Sequence, residues 1–525
     1  MEQVGVIYGS ASTTTFEFAA TTQVKRNSYV EVEHEHIPVL CTVGDVRRIS
    51  DITFEDARRI SKGERIKSID KLSATAHVVG YRDEKAVLQV PRTPLQTGIP
   101  VWNASDALIR NTLGLSERGI YLGLLRWHDI QVCLDAELLT KKHVSILAKT
   151  GSGKSYLTGV VVEELLKHKM PCIIIDPHNE YYSLIHPNLN EQELKEMERF
   201  KIKPRSYAEN IVVYSPDIKI NRNALPLRFS GTNLDAREII EYTSIKSSTH
   251  MGLLRKALLN LRAEKARYSI EDIKKELESE ANPAKWSLIT RLELLEATDL
   301  FKEPATSIRD LIKKGQATII NLRGITPEIQ EIVVSILAKE LFELRKLNQI
   351  PPAVIILEEA HNFCPQNAQA ISTSILRTIA SEGRKFGLGL CVVSQRPAIV
   401  DKNILSQCGI QIILKVTNPN DLKTIVASFE GLTTSAFEDI QRLPIGVAMI
   451  VGGNIPLPIL LDIRVRETKH GIPEEELVTK KIEPHGEVYG EEAQVGAELG
   501  EEETLVKKGK RKKSFLAKIL GEEEP

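Results

Sequence analysis

The stretch "HVSILAKTGSGKSYLTGVVVEELLKHKM", residues 143–170, constrains this chain more than any other. A short apolar run stops, two glycines follow, and Lys154 and Ser155 open a segment of helical period. "PCIIIDPHNEYY" then supplies a second apolar run that ends in an acid. Strand, helix, strand is the unit of a parallel sheet with helical crossovers. A glycine loop between the first strand and its helix curls the backbone so that N–H groups point inward at phosphate oxygens. The N-terminus of the following helix adds its positive end. The loop fits the pattern GxxxxGK[ST] except that Ala148 stands in the first glycine's place. Gly151, Gly153, Lys154 and Ser155 are intact; Lys154 sets a cation against the β and γ phosphates, and the Ser155 hydroxyl helps hold Mg²⁺.

At 525 residues the chain is too long for one ordinary core, so several domains are expected. Residues 1–105 carry short, partly alternating, Val- and Thr-rich runs such as "VGVIYGS", "YVEVEHE" and "ATAHVVGYR". That pattern predicts a small barrel or sandwich, with one helix near "FEDARRISKGERI" and an exit linker bracketed by Pro94 and Pro100. Residues 106–186 form the first part of an α/β core. Residues 187–310 read as amphipathic helices, a helical insertion. Residues 311–468 resume the sheet with "ATIINL", "AVIILEE", "LGLCVVSQ", "GIQIILKV" and "IGVAMIVGG", and "PLPILLDIRV" is expected as an edge strand. Residues 469–525 form a charged arm of like-charge blocks, "GEEETLVKK" and "KKGKRKK", ending near the apolar "FLAKIL".

The six cysteines are scattered singly, which predicts buried thiols and no zinc site or disulfide framework. No stretch approaches a membrane span and the N-terminus lacks a secretory pattern, so the cytoplasm is expected. The net charge of −1 gives no broadly basic surface, but leaves room for a local basic pore.

A triphosphate site needs an acid on a neighbouring strand. "AVIILEEAHNF" places Glu358, 204 positions after Lys154, and Glu359 at a strand's C-terminal end, where sites of α/β sheets lie. Glu358 is the candidate to orient the metal's water shell, Glu359 the candidate general base. Asp176, beyond the strand "PCIIID", is a candidate metal or water contact, or else a strand-end cap. Gln395, closing "CVVSQ", is placed to sense the γ phosphate. Arg384, read as part of a polar turn, is a candidate to act on a neighbouring subunit's phosphoryl group, which calls for a ring or filament. Lys142 is a second basic candidate at such a boundary. The NKxD element that reads guanine is absent, which favours ATP.

With "HVSILAKTGSGKS", "IIDPHNEY", "VIILEEAHNF", "SEGRKFGLGLCVVSQRP" and "GGNIPLPILL" in this order, the chain resembles the HerA family of the FtsK–HerA group of P-loop ATPases. The resemblance implies an α/β, RecA-like P-loop ATPase core with a helical insertion, preceded by a small N-terminal β-barrel domain. It implies an archaeal, hexameric helicase and translocase on double-stranded DNA, working with the nuclease NurA in end resection for recombinational repair. It implies ATP and Mg²⁺ as ligands, nucleotide contacts from Gly151, Ser152, Gly153, Lys154, Ser155 and Tyr156, and hydrolysis by Glu359 with Arg384 acting across the interface. It also implies that the run around Ile459 and Leu460 closes over the nucleotide.

Rival readings are separable. "EEAH" is like the DEAH of another helicase superfamily, but "SAT" at Ser73–Thr75 precedes the glycine loop and no QxxGRxGR element follows. A ring-shaped remodeller of protein substrates shares the pore and is told apart by DNA-stimulated turnover. A non-motor nucleotide switch is told apart by multiple turnover.

Overall fold

The computed structural model describes residues 2–471, apart from 22, 23, 69, 233, 244, 246, 369 and 429–434. The charged arm, with its "FLAKIL" run, falls outside the described residues from 472 on. Strands β1 (Gln3–Ala11), β2 (Thr15–Ala20), β3 (Tyr29–His34), β4 (Ile37–Ser50) and β5 (Asp70–Arg82) open the chain, with helix α1 (Phe54–Ser61) between the last two. The two-residue β6 (Leu88–Gln89) and β7 (Pro100–Asn103) follow. The strand order is β2-β1-β7-β3-β4-β5, and a further β2–β5 pairing closes these six strands into a barrel. Closure removes the sheet edges that a small open sheet would expose. Alternation explains the filling: Phe16 and Phe18 of β2, Val30 and Val32 of β3 and Ala74 and Ala76 of β5 all point inward. Pro100 does not belong to a linker. It begins β7, which pairs with both β1 and β3, because a proline lacking an N–H is tolerated at a strand's first residue.

The α/β part begins with α2 (Asp106–Leu113), β8 (Ile120–Leu125), β9 (Gln131–Leu134), α3 (Leu138–Lys141), β10 (Val144–Leu147), α4 (Lys154–Lys167) and β11 (Cys172–Asp176). Then come α5 (Glu191–Phe200), β12 (Ile211–Ser215) and β13 (Leu225–Pro226), and the helices α6 (Ala236–Thr243), α7 (Ser248–Glu264), α8 (Ile270–Glu278), α9 (Lys285–Glu296) and α10 (Ile308–Leu311). The core closes with β14 (Ala317–Asn321), α11 (Pro327–Lys346), β15 (Ala353–Leu357), α12 (Thr373–Phe386), β16 (Leu388–Ser394), β17 (Ile410–Ile413), β18 (Val447–Gly452) and β19 (Ile455–Ile463). Among the described residues twelve strands make one mixed sheet, in the order β13-β12-β14-β11-β15-β16-β10-β17-β18-β19-β8-β9. Every residue of β10, β11, β15 and β16 is buried, as expected for parallel strands covered on both faces.

Two expectations differ from the structure. The segment 187–310 is not wholly helical: Ile211–Ser215 returns to the sheet and pairs with β14, and only then do α6 to α9 pack on one another through residues such as Leu254, Leu258, Ile273 and Leu292. The run "PLPILLDIRV" is not an edge. It lies in β19, between β18 and β8. The hairpin β8–β9, which precedes the glycine loop, takes the outer place. Its strands are short and polar residues occupy its turn, so periodicity gave no signal for it.

All six cysteines are free and buried. Among the described residues no helix is long and apolar enough to cross a membrane.

Candidate nucleotide-hydrolysis site

The glycine loop joins β10 to α4. Its shoulders are tied to the neighbouring strands: the Ala148 amide donates to Ser394 O (3.2 Å) and the Lys149 amide to Lys415 O (2.9 Å). Gly151 and Gly153 have φ of 74° and 95°. A side chain at Gly151 would meet nothing within 4 Å, so the requirement there is for the left-handed backbone, not for space. Helix α4 has no side-chain cap at its N-terminus. The amides of its first turn therefore have neither an intrahelical nor a side-chain acceptor, which suits an anion. The buried Ser152 turns its hydroxyl back onto Lys149 O within the loop (2.5 Å), so only its backbone faces a ligand.

The sheet order puts one strand, β16, between the loop's strand and β15. Within that frame Lys154 reaches the acids: its amine donates to Glu358 Oε1 and lies 3.3 Å from Glu359 Oε1. Ser155 Oγ donates to the same Glu358 oxygen at 3.3 Å. Burial pushes the Glu358 carboxyl up to about 7, against the pull of Lys154. Burial works against the charge of Lys154 itself, but Glu358 and Glu359 outweigh it and raise its pKa. Glu359 has φ 49° and ψ 47°, a left-handed conformation that costs a non-glycine residue about 1 kcal/mol or more. The backbone turns sharply there, directly beyond β15. Glu358 Oε2, Glu359 Oε2 and Glu180 Oε2 are buried with no hydrogen-bond partner. Those unsatisfied acceptors, the uncapped helix end and the Lys154–Ser155 pair together suit a phosphate chain carrying a hydrated divalent cation.

Two groups near Glu359 had no sequence signal. His361 Nδ1 lies 3.2 Å from Ser394 Oγ and 3.4 Å from Glu359 Oε2. Burial lowers the His361 pKa against the attraction of Glu359, which keeps the ring neutral at neutral pH. At the end of β16, Gln395 accepts a hydrogen bond from the Thr150 hydroxyl of the glycine loop. The end of β16 therefore touches the loop and, through His361, reaches Glu359.

Other candidates lie elsewhere in the chain. Asp176 is fully buried, and its two oxygens accept the amides of His178 (3.2 Å), Glu180 (3.1 Å) and Tyr181 (3.1 Å). It is a strand-end anchor with both oxygens engaged by amides, and burial pushes it up to about 6. Arg384 is not on a turn. It sits in the last turn of α12, which Gly387 (φ 72°) ends in a left-handed cap. Its side chain is exposed, and it lies at the end of the sheet where β16 begins, away from the glycine loop. Lys142 is at that same end, just before β10, and donates to Gly453 O (3.0 Å). Four residues of β10, about 13 Å, separate that end from the loop. Ile459 and Leu460 are interior residues of β19, paired with Ile450 and Met449 three strands from β10, so neither closes over the loop in its own chain.

Residues further on do reach the loop's helix. The strap after β19 is held against α4 by a buried polar lock. Arg464 donates to Glu163 (2.9 Å), Glu164 (2.9 Å) and Tyr121 O (3.0 Å). Glu163 also accepts from the amides of Glu467 (3.1 Å) and Thr468 (2.9 Å) and from the Thr468 hydroxyl (2.6 Å). The Arg466 guanidinium lies where a side chain at Gly159 would stand, 2.7 Å from that Cβ position, which explains a glycine inside α4. The Arg466 amide donates to Tyr156 Oη (2.8 Å), and the Tyr156 ring meets His470 edge-on, centroids 5.3 Å apart.

A glycine loop, an uncapped helix and a buried lysine–diglutamate cluster on a parallel sheet define a P-loop ATPase, here preceded by a six-stranded barrel. Residues 120–341 match the family described as the central domain of helicase HerA, and residues 4–84 match the HAS barrel domain. The chain thus pairs a match to the HerA central domain with a match to the HAS barrel. It is 27% identical over 518 residues to the DNA double-strand break repair helicase HerA of Saccharolobus solfataricus, covering 95% of this chain and 100% of the relative. It is 27% identical over 516 residues to the protein of the same name from Pyrococcus furiosus, covering 88% and 92%. A looser likeness of fold links it to VirB4 of Thermoanaerobacter pseudethanolicus, with 15% identity, 66% of this chain and 96% of that chain covered, and a TM-score of 0.47.

Proposed function

We propose that this chain is an ATP-driven motor that translocates along double-stranded DNA and unwinds it, built as a hexameric ring with its hydrolytic sites between subunits. We also propose that it works with a nuclease, NurA, in resecting DNA ends for recombinational repair. One observation carries the ATPase part: Lys154 and Glu359, far apart in sequence, lie 3.3 Å apart beside the glycine loop. The DNA part is supported by the relatives, whose names describe DNA double-strand break repair helicases.

In this reading Gly151, Gly153 and the first turn of α4 bind the phosphate chain through backbone amides. Lys154 exchanges its carboxylate partners for phosphate oxygens. Bound Mg²⁺, with Ser155 as a ligand and Glu358 facing its water shell, would offset the charge of the phosphates. Glu359 takes the proton of the attacking water, with His361 and Ser394 fixing the carboxylate's direction. Gln395, linked to Thr150, is placed to register whether the γ phosphate is present. Arg384 reaches the developing charge from the next subunit, because in its own chain it lies at the far end of the sheet. Backbone contacts to DNA ignore base sequence, so binding should weaken steeply with salt.

ATP turnover with and without duplex DNA tests the reading. Strong stimulation by duplex of any sequence, lost at high salt, is expected. Turnover indifferent to DNA but raised by an unfolded protein would replace the DNA motor with a protein remodeller.

A further inference from the structure

Asp176 ends β11 and Glu180 lies in the loop that follows; the sequence made Asp176, with Ser155 and Glu358, a candidate metal contact, or else a strand-end cap. The geometry divides the work differently. The Asp176 carboxylate is consumed by three amides, one of them the amide of Glu180. Glu180, four residues on, is partly buried, and its Oε2 is buried and without a hydrogen-bond partner. Its charge acts on both Lys154 and Glu358. The site therefore gathers three carboxylates, Glu180, Glu358 and Glu359, around one ammonium. Against three carboxylates there is one ammonium, and a proton on Glu358 relieves only part of the excess negative charge. Two of those carboxylates are almost fully buried, Glu358 at 0% and Glu359 at 6% exposed, and each keeps one oxygen without a hydrogen bond. A buried excess of negative charge is costly unless a cation offsets it. A single divalent cation does so.

We propose that Glu180 is the third carboxylate of the divalent-cation site, sharing the ion's water shell with Glu358, and that Asp176 is the positioning residue that fixes the Glu180 backbone there. The inference rests on the nucleotide site described above. Among the described residues no three His, Cys, Asp or Glu side chains converge closely enough to ligate an ion directly. Glu180 and Glu358 therefore act through water, as is usual for Mg²⁺, which sheds its water reluctantly.

The test is Mn²⁺ binding, read by electron paramagnetic resonance in the presence of ADP, on the full chain. Glu180→Gln keeps the shape of the side chain and removes its charge. Mn²⁺ affinity of the ADP complex is expected to fall at least fivefold, with ADP affinity in chelator unchanged or tighter. Asp176→Asn should shift it in the same direction. Glu193→Gln, an acid held by Tyr156 and Asn188, controls for remote charge and should leave Mn²⁺ affinity within twofold. Mn²⁺ affinity in Glu180→Gln within twofold of wild type overturns the inference, as does an equal loss in Glu193→Gln. Failure of the wild type to bind ADP, or equal binding by Lys154→Ala, would instead overturn the nucleotide reading beneath it.

Discussion

Replacing Arg464 by Met asks whether the strap behind the last strand holds the P-loop helix in place. Arg464 is 0% exposed, between Glu163 at 0% and Glu164 at 3%. Breaking a buried pair by removing one partner typically costs about 3–5 kcal/mol, because the other charge is left unpaired. Here the loss is cushioned. Glu164 keeps Lys167 at 2.7 Å and the Tyr121 amide at 3.1 Å. Glu163 keeps Thr468, the Glu467 amide and Arg466, whose Nε is 3.7 Å away. The lower end, about 3 kcal/mol, is therefore expected. A chain of several domains need not unfold in one step, so a single melting temperature would blur the effect. Hydrogen exchange reads it locally. If α4 opens when the strap detaches, 3 kcal/mol accelerates exchange of its amides about 150-fold, while barrel amides stay as in the wild type. Arg464→Lys keeps the charge but cannot serve Tyr121 O, Glu163 and Glu164 together, so it should fall between. Unchanged protection of α4 in Arg464→Met would show that the lock contributes nothing net, and would refute the claim that the strap steadies the nucleotide-binding helix.

Other outcomes follow from the site. Glu359→Gln should lower steady-state ATP turnover about 10²–10⁴-fold with nucleotide binding retained in a filter or fluorescence assay; a loss under tenfold would remove Glu359 as the base. Arg384→Ala should lose turnover about 10³-fold yet regain part of it when mixed with Lys154→Ala chains, since each supplies what the other's interface lacks. No rescue by mixing would argue that Arg384 does not act across subunits. For pH, Glu358 is raised by burial to about 7 from an ordinary 4.5, so the folded chain holds a proton that the unfolded chain has released between those values. Its contribution to stability is full below pH 4.5 and is lost as pH rises through 7. Thermal stability of the protein without ligand should fall over that window, and Glu358→Gln should flatten the slope; an identical slope in the variant would assign the effect elsewhere, Asp176 being the next candidate.

Much of this chain was legible as text because its central chemistry is local. The glycine loop needs left-handed backbone at Gly151 and Gly153, a lysine and a serine in fixed succession, and an apolar strand before them. All of that is written within a dozen residues. The pair Glu358–Glu359 was legible for the same reason, as acids that directly follow a buried parallel strand. What only the tertiary structure decided is pairing over long separations. Adjacent residues gave no sign that β16 lies between the loop and the acids, so that Ser394 meets His361 and Gln395 meets Thr150. Nor could they reveal that Asp176 is taken up by the amides that follow it, that Pro100 starts a strand, or that Ile459 and Leu460 lie inside the sheet. The lock between Arg464, Arg466 and Glu163 spans about three hundred residues, and its one local trace is Gly159, a glycine inside a helix. Sequence spacing fixes which groups a short segment can present; which of them touch depends on strand order and helix packing, and those follow from burying the whole apolar surface at once.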